Sequence, residues 1–380
     1  MNFIFASDSF KGSLSSEKTG KILGECLKNE IQGATFSQFL IADGGEGTLD
    51  AFLTRDGAKE ICVSVSNPLF EKINARYCTL GDKAIIALSE SSGLTLIDEK
   101  KRNPLYTTTL GTGELVLDAL NRGYRDITLA IGGSATNDGG IGAMQALGIK
   151  FLDEKGDELL PIGKNLEKIR KIDTSSLVFS AKEAKFSVMC DVTNTLLGKN
   201  GATHVYGPQK GATPEIVSRL ESGMENYARV IYESLGIDAD KIVGGGAAGG
   251  IGAALSVFLG AKMNSGIDTL LDIVNFDEAI KGADAVISGE GRLDSQSLSG
   301  KVIYGIAKRC QNVGVPLYLI VGGLGDGWEK AYTLGVKKIY TLVNEGTSLD
   351  EAISNAEGVY RARAMELFQD ITRLGDFYVT

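Results

Sequence analysis

The chain has 380 residues, of which 43% are hydrophobic and 23% are charged, a balance typical of a folded protein and not of a disordered or collagen-like chain. A net charge of −9 argues against a nucleic-acid partner or an anionic membrane surface. No apolar run is long enough to span a membrane, and the N-terminus lacks the features of a secretory signal. Five scattered cysteines and one histidine disfavour a disulfide scaffold or a zinc site, so a reducing cytoplasm fits and any general base must be a carboxylate or a lysine.

The first predicted elements alternate between strand and helix. The apolar run Phe3–Ala6 predicts a strand, and apolar residues at helical spacing after the candidate N-caps Ser15 and Ser16 predict a helix. A second strand is predicted over Phe36–Ala42. It ends in an acidic, glycine-rich loop that leads into another helix.

From Lys59 onward the hydrophobic pattern changes, because Ile61, Val63 and Val65 alternate with other residues. Short predicted strands continue to Leu88, and this pattern is typical of an antiparallel meander. Later in this region the sequence predicts further helices and strands. They are helices over Gly111–Arg122 and Pro214–Leu235, strands over Ile127–Ile131 and Phe186–Cys190, and a glycine-rich stretch, Gly244–Gly252, that leads into a helix.

Strand–helix alternation returns near the C-terminus. Strands are predicted over Ala285–Ser288, Leu317–Val321 and Lys338–Thr341, with a helix over Val302–Cys310 and a helix after each of the last two strands. Because this rhythm matches the opening of the chain, we expect residues 1–58 and 280–380 to form one parallel α/β domain. Residues 59–279 would be inserted into it as a second domain.

Acidic residues follow the ends of five predicted strands, most of them beside glycines. They are Asp8, Asp43 with Glu46, Asp138, Asp191, and Glu290 with Asp294. Ligands of α/β sheets bind at the carboxyl ends of strands, and glycine lets backbone N–H groups approach an anion. Carboxylates beside a phosphate repel it unless a hard cation lies between them, so the combination predicts Mg²⁺-assisted phosphate chemistry. Lys11, Lys210 and Lys301 lie in similar glycine or serine contexts and would supply positive charge.

Two alternative interpretations accompany this one. A single Asp-Gly pair is more often a turn than a site, because both residues are turn formers. The stretch Gly244–Gly249 matches the dinucleotide pattern GxGxxG, but no strand-ending acid follows at the required distance, so close backbone packing or a contact with a nucleotide phosphate is a better interpretation. The P-loop pattern is absent.

Six segments together resemble the type I glycerate kinase family. They are DSFKGSLS (8–15), ADGGEGT (42–48), IGGSATNDGG (131–140), CDVTN (190–194), YGPQKGA (206–212) and GEGRLDSQ (289–296). The resemblance runs in order from about residue 3 to residue 370. Ser7 stands where the family often has proline and Phe10 where it often has tyrosine.

The resemblance implies ATP-dependent phosphorylation of D-glycerate, usually to 2-phosphoglycerate, with ATP and Mg²⁺ required. It also implies two α/β domains, one flavodoxin-like and one with a restriction-enzyme-like topology, with the active site in the cleft between them. The expected partners are therefore small molecules, with no nucleic acid and no membrane; a homodimer is also possible.

The expected site residues divide into three groups. Asp191, Asp8 or Asp294 would accept the proton of the substrate hydroxyl, with Asp191 favoured, and Lys11 would act beside them on the phosphate. Asp43 and Glu46 would hold Mg²⁺. The residues expected to bind substrate or phosphate are Ser9, Lys210, Lys301, Glu290, Arg292, Gly132, Gly133, Ser134, Thr136, Asp138 and Asn194. For Glu290 and Arg292, a structural ion pair is an equally good interpretation.

The sequence leaves several alternatives open. A kinase for another small hydroxy acid would have the same motifs, because one or two pocket side chains suffice to change specificity. A non-catalytic ligand-binding protein with this fold is a third possibility, and the intact acids, lysines and glycine loops speak against it. The choice between the 2- and 3-hydroxyl is not encoded in a recognisable pattern.

Overall fold

A computed structural model describes residues 1–10, 13–41, 47–295, 297–298 and 301–374. Lys11, Asp43 and Glu46 therefore lie outside the described residues. The chain forms two compact units, one from Met1–Asp43 with Ile267–Thr380 and one from Gly44–Gly266.

The strands occupy both units. In chain order they are β1 (Asn2–Ser7), β2 (Thr35–Gln38), β3 (Ala58–Ser66), β4 (Lys72–Leu80), β5 (Lys83–Ala87), β6 (Asp126–Ala130), β7 (Lys150–Leu152), β8 (Lys171–Asp173), β9 (Lys185–Met189), β10 (Lys262–Asn264), β11 (Ala285–Leu293), β12 (Leu317–Leu324) and β13 (Val336–Thr341).

Helices connect and cover these strands. In chain order they are α1 (Ser16–Glu30), α2 (Thr48–Leu53), α3 (Ser89–Ser92), α4 (Leu110–Asn121), α5 (Ile141–Ala146), α6 (Phe179–Glu183), α7 (Ala202–Tyr206), α8 (Pro214–Leu235), α9 (Ile251–Leu259), α10 (Gly266–Ile273), α11 (Phe276–Ile280), α12 (Val302–Val313), α13 (Leu349–Ser354) and α14 (Ala356–Leu374). Short 3-10 turns add Leu94–Leu96, Glu99–Lys101, Gly163–Lys168, Pro208–Lys210, Ala239–Lys241, Ala247–Gly250 and Trp328–Leu334.

The first unit is built on a five-stranded parallel sheet in the order β13-β12-β11-β1-β2. Counted within this unit, the order is 2-1-3-4-5, which is that of flavodoxin-like folds. The predicted parallel sheet made from both chain ends is thus confirmed. Its core includes Phe3, Phe5 and Phe368, with Phe368 contributed by α14.

The second unit contains a six-stranded sheet in the order β10-β9-β6-β5-β4-β3. The β3–β4 and β4–β5 pairs are antiparallel and the others are parallel, so the predicted mixed sheet is confirmed. The long helix α8 begins at the N-cap Thr213, whose side chain accepts the N–H of Ile216, and ends at Gly236 in the left-handed conformation. Buried Tyr227 on this helix packs edge-on against Phe151.

The bounds of the units differ from the predicted division at residues 58/59 and 279/280. The insertion begins and ends earlier in the chain, at residues 44 and 266. At its start, α2 packs on β3, β4 and β5, and Asp50 of α2 forms an ion pair with Arg76 of β4 at 2.8 Å. After its end, Asp272 and Asp277 bind Arg309 of α12 in the first unit. The change of pattern at Lys59 marks the first antiparallel strand, and it does not reveal the helix that packs against that strand.

Two other elements differ from the sequence expectation. Strand β11 continues to Leu293, so Glu290 lies within a strand and not in the loop after it. After β12 a 3-10 segment, Trp328–Leu334, replaces the predicted helix. No helix in the described part of the chain is long and apolar enough to cross a membrane.

Candidate active site

The carboxyl ends of β1 and β11 bring together acidic residues that are far apart in sequence. Ser7 pairs with Gly289, and the N–H of Asp8 donates to the carbonyl of Gly289 at 2.8 Å. Strand β1 has β2 on one side and β11 on the other, so the strand order reverses between β1 and β11. Ligands of such sheets bind at this reversal, outside the carboxyl ends of the strands. Asp8 and Glu290 therefore border the position where the fold predicts a ligand.

Glu290 is a buried carboxyl group at this edge. Its side chain is only 9% exposed, and its Oε1 atom is buried with no hydrogen-bond partner among the described residues. Burial raises the pKa of Glu290 to about 7. A hydrogen bond from Ser297 and the charge of Lys301 oppose this rise, and the negative charge of Asp8 adds to it. Near neutral pH the group exchanges between acid and base forms, which is a property of general bases.

Arg292 and Asp294 lie two and four residues after Glu290, at the end of β11 and just beyond it. Asp294 Oδ1 accepts the N–H of Ser297 at 3.2 Å, and Ser297 Oγ donates to the carbonyl of Arg292 at 3.1 Å. The Arg292 side chain is 70% exposed and faces Asp294 at 4.0 Å, so its ion-pair partner here is Asp294 and not Glu290. Such an exposed pair contributes little to stability and leaves the guanidinium accessible.

Ser9 and Lys301 complete the described part of this edge. The N–H of Ser9 donates to Asp8 Oδ1 at 2.6 Å, which fixes the carboxylate against its own loop. Lys301 is exposed and lies immediately before α12. The structure thus brings together Asp8, Glu290, Asp294 and Lys301, as the electrostatic coupling of Glu290 to the other three also indicates.

In the second unit, the glycine-rich loop after β6 is held from beneath by Asp138. This side chain is fully buried and accepts the N–H and Oγ1–H of Thr109, both at 2.8 Å. It also accepts the N–H groups of Gly140 and Gly142, at 3.1 and 3.3 Å. Burial raises the pKa of Asp138 and these hydrogen bonds oppose the rise. The N–H groups at the start of α5 are therefore occupied by Asp138 and do not cradle a phosphate here.

Lys210 is buried as well, with 2% exposure. Its Nζ donates to Ser134 Oγ at 2.7 Å and to the carbonyl of Thr136 at 2.6 Å. Burial lowers the pKa of Lys210 to about 7, and the charge of Asp138 opposes that fall. The expected phosphate contacts of Lys210, Thr136 and Asp138 do not fit this burial, because these groups hold the loop from inside. In the segment 132–138, Gly133 is exposed, Gly132 is half-buried and the other residues are buried.

The stretch Gly244–Gly252 packs backbone against backbone. A β-carbon at Gly249 would lie 2.0 Å from the carbonyl oxygen of Thr136, and one at Gly246 would lie 2.0 Å from that of Thr195. The N–H of Gly139 donates to the carbonyl of Gly249 at 3.0 Å. Of the two interpretations of this stretch, the structure favours close packing over phosphate binding.

Asp191 and Asn194 lie on the loop after β9. Asp191 is exposed, and its Oδ1 accepts the N–H of Gly266 at 2.8 Å. Asn194 donates to the carbonyl of Asn200 at 2.7 Å and accepts the hydroxyl of Tyr206 at 2.7 Å. Both side chains stabilise their surroundings, and Asp191 as the catalytic base stays a prediction.

Three features of the candidate site have no clear signal in the sequence. Thr109 binds Asp138, and its only sequence signal is the run Thr107–Thr109 before a helix. Ser297 binds Asp294, at a spacing that is common in ordinary turns. The pair Gly322–Gly323 at the end of β12 borders a cavity, whereas the sequence reasoning gave that stretch no role.

A metal site is not visible in the described residues. Within 1–10, 13–41, 47–295, 297–298 and 301–374, no three His, Cys, Asp or Glu side chains are placed to hold a metal ion together. The predicted Mg²⁺ ligands Asp43 and Glu46 lie outside those ranges.

Known proteins resemble this chain over nearly its full length. The model of the glycerate kinase family matches residues 3–372. A glycerate kinase of Halalkalibacterium halodurans is 40% identical over 366 residues, or 96% of each chain. The chain belongs to the glycerate kinase family. It is therefore a kinase, a phosphotransferase with an alcohol acceptor.

Two further relatives support the family assignment and the fold. Glycerate 2-kinase of Escherichia coli K12 is 40% identical over 358 residues, covering 94% of each chain. A crystal structure from Salmonella typhimurium LT2, provisionally described as glycerate kinase 2, matches with a TM-score of 0.85 and 37% identity over 98% of each chain. The α/β fold class predicted from the sequence is thus confirmed for this glycerate kinase family member.

Proposed function

We propose that this kinase transfers the terminal phosphoryl group of ATP to the 2-hydroxyl of D-glycerate, giving 2-phosphoglycerate and ADP. Membership of the glycerate kinase family over residues 3–372 supports the substrate, and the similarity to a glycerate 2-kinase supports the position. The observation that carries the chemistry is the buried Glu290 at the carboxyl edge of the flavodoxin-like sheet, where its pKa lies near 7.

Glu290 is proposed as the group that accepts the proton of the substrate hydroxyl. As this proton moves to the carboxylate, the hydroxyl oxygen forms a bond to the terminal phosphorus, and the bond from that phosphorus to the departing ADP oxygen breaks. Positioned general bases contribute about 10²–10⁴-fold to such reactions, and they work best with a pKa near the working pH. Glu290 Oε1, which has no hydrogen-bond partner in the described part of the chain, provides the acceptor that this step needs.

Exposed cations near Glu290 are proposed to bind the anionic groups of the substrates. Lys301 is exposed beside α12, and the Arg292 guanidinium is 70% exposed. Lys301 suits a phosphate oxygen as a point charge. The guanidinium of Arg292 suits the nucleotide, because a guanidinium binds phosphate oxygens in a bidentate manner and also stacks on aromatic rings. Asp8 and Asp294 add negative charge at the same edge, which Lys301 and Arg292 offset in part.

Mg²⁺ remains part of the proposal as the counter-ion of ATP, and when bound it neutralises charge on the phosphates. Asp43 and Glu46 are its predicted ligands. The placement of the active site in the cleft between the two units, the cytoplasmic location and a homodimer also stay predictions.

The test is a coupled assay of ADP release with Mg·ATP and D-glycerate. L-glycerate, glycolate, lactate and tartronate serve as alternative acceptors, with a blank that lacks acceptor. Turnover confined to D-glycerate, with 2-phosphoglycerate identified by ³¹P NMR, is the expected result. Turnover with another acid, or 3-phosphoglycerate as the product, would overturn the corresponding part of the proposal. ADP release that is no faster with any of the acids than in the blank would refute the proposal that the acceptor is one of these acids.

A further inference from the structure

A cavity of about 670 Å³ opens at the carboxyl ends of β11, β12 and β13 in the first unit. We call it the strand-end pocket and define it by Gly291 and Arg292 of β11, Gly322 and Gly323 of β12, and Leu349 and Ile353 of α13. Phe10, Leu342 and Val343 add apolar surface. Its size lies within the range of pockets that hold small molecules, and such pockets are mostly apolar with few polar groups.

Apolar side chains at the rim are unusually accessible. Leu349 is 61% exposed, Ile353 54% and Leu324 39%. Single exposed apolar residues are ordinary, but three around one cavity indicate a surface that a ligand covers.

Gly323 keeps the floor of the pocket open. A β-carbon added there would meet no atom of the described residues within 4 Å, and Gly323 does not have the positive φ that would require glycine. The neighbouring Gly322 differs, because a β-carbon there would lie 2.2 Å from the carbonyl oxygen of Gly291. Gly322 thus serves the packing of the strands, whereas strand packing does not explain Gly323. A side chain at position 323 would occupy pocket volume.

The proposed reaction offers two substrates for this space. D-glycerate has three carbons, a carboxylate and two hydroxyls, so it has no surface that matches apolar walls. The adenine base of ATP is flat and aromatic, and its faces suit Leu349, Ile353 and the guanidinium of Arg292, which stacks on aromatic rings. The pocket lies on the same sheet edge as the proposed base, since Gly291 follows Glu290 in β11, and the ribose and phosphates would span the distance from the adenine to the reacting group.

From this geometry we infer that the strand-end pocket binds the adenine base of the nucleotide. The inference rests on the proposed function, and it places the nucleotide in the flavodoxin-like unit. The glycine-rich stretch Gly244–Gly249 of the second unit, for which the sequence left a contact with a nucleotide phosphate open, packs backbone against backbone instead.

The test fills the pocket through Gly323. Gly323→Ala and Gly323→Val add one and three carbons to an open space, and valine suits a strand, so both variants should fold. Gly346→Ala is the matched control, because Gly346 is exposed in the same unit, lies outside the pocket lining and has no positive φ. The readouts are the Kd of ADP by calorimetry and the separate KM values for ATP and D-glycerate. Thermal unfolding confirms that each variant is folded.

For Gly323→Val we expect the Kd of ADP and the KM of ATP to rise at least about tenfold, equivalent to 1.4 kcal/mol. The KM of D-glycerate should stay within about twofold, and Gly323→Ala should have a smaller effect in the same direction, because adding a methyl group to a pocket changes affinity less than adding three carbons. Unchanged ADP affinity in Gly323→Val, a rise confined to the KM of D-glycerate, or a wild type that does not bind ADP would overturn the inference.

A second test changes a residue of α13 and leaves strand β12 unaltered. Ile353→Glu adds a negative charge at an exposed position, so the fold should tolerate it while the polyanionic nucleotide is repelled; Ile353→Gln is its neutral control. ADP affinity should fall more for glutamate than for glutamine, and equal, unchanged affinities would contradict the inference. A wild type that fails to phosphorylate D-glycerate, yet binds ADP and loses it in Gly323→Val, would refute the proposed function and support the pocket.

Discussion

Replacing Glu290 with glutamine tests the central residue of the site in two independent ways. Burial raises the pKa of Glu290 from its ordinary value of 4.5 to about 7. Between these values the folded protein keeps a proton that the unfolded chain has lost, so the stability falls as the pH rises through this window. Each pKa unit is worth about 1.4 kcal/mol, so the full cost above pH 7 is roughly 3 kcal/mol. Glutamine has nearly the same shape and no charge, and it avoids this cost.

The difference in the free energy of unfolding, Glu290→Gln minus wild type, should therefore grow with pH. Linkage gives an increase of about 1 kcal/mol between pH 6 and pH 8 and little change above that. Urea unfolding followed by the fluorescence of Trp328 is suited to this measurement, because Trp328 is the only tryptophan of the chain and belongs to the same unit as Glu290. Glu345→Gln, an exposed glutamate in that unit, is the control and should show no such trend.

The same variant should lose activity by about 10²-fold or more in kcat, because it cannot accept a proton. In the wild type, kcat/KM should rise with pH through an apparent pKa of about 7, as the carboxylate form becomes populated. If the difference in the free energy of unfolding between Glu290→Gln and wild type does not depend on pH, the raised pKa of a buried Glu290 is refuted. A pH-dependent difference with kcat within threefold of wild type would leave the burial intact and refute the role as base.

Three further predictions concern residues that the structure places in holding or packing roles. If Glu290 is the base, Asp191→Asn should keep kcat within threefold, since Asp191 Oδ1 binds the N–H of Gly266; a loss of two decades would instead support Asp191 as the base, as the sequence predicts. Burial lowers the pKa of Lys210 to about 7, so the unfolded chain holds a proton that the folded protein lacks at higher pH. The stability of the wild type should therefore rise by about 2 kcal/mol between pH 7 and 9 relative to Lys210→Met, and parallel pH profiles in urea unfolding followed by circular dichroism would contradict this. Gly249→Ala and Gly198→Ala strain φ values of +74° and +84°, but only the former meets a carbonyl oxygen, that of Thr136 at 2.0 Å. Gly249→Ala should lower the free energy of unfolding by several kcal/mol, whereas Gly198→Ala should lower it by about 1 kcal/mol. Equal melting temperatures of the two variants would refute the packing argument.

The sequence was sufficient to predict the parallel sheet from both chain ends. Apolar runs such as Phe3–Ala6 and Leu317–Val321, each followed by a turn signal, have the period and length of buried strands. Hydrophobic periodicity predicts strands, but it does not predict the order in which they pair in a sheet. The pairing of β1 with β11 joins residues more than 280 positions apart, and it alone makes Asp8 and Glu290 neighbours. Family resemblance supplied the fold that periodicity could not.

Burial is the property of Lys210 and Asp138 that sequence context does not predict, and their phosphate-binding roles stay predictions. Lys210 and Asp138 stand in glycine-rich segments, where lysine and aspartate are expected at an exposed phosphate site. In the structure they have 2% and 0% exposure, and their charges act on the loop from inside. Sequence context is the same for a lysine that points out of a glycine loop and for one that lies beneath it. Only the packing of the loop on α5 and on the Gly249 backbone distinguishes the two.

A single strand links the proposed base to the proposed nucleotide pocket. Residues 290 and 292 are two positions apart in β11, so by the alternation of a strand they share one face of the sheet. Glu290 is the buried member of this pair, and Arg292 is the exposed member at the pocket. A nucleotide whose base lies against Arg292 would therefore extend along the same edge that carries the carboxylate. Because both positions are fixed by the hydrogen bonds of β11 to its neighbours, filling the pocket at Gly323 should weaken nucleotide binding without moving Glu290, and the pH dependence of kcat should survive in Gly323→Val.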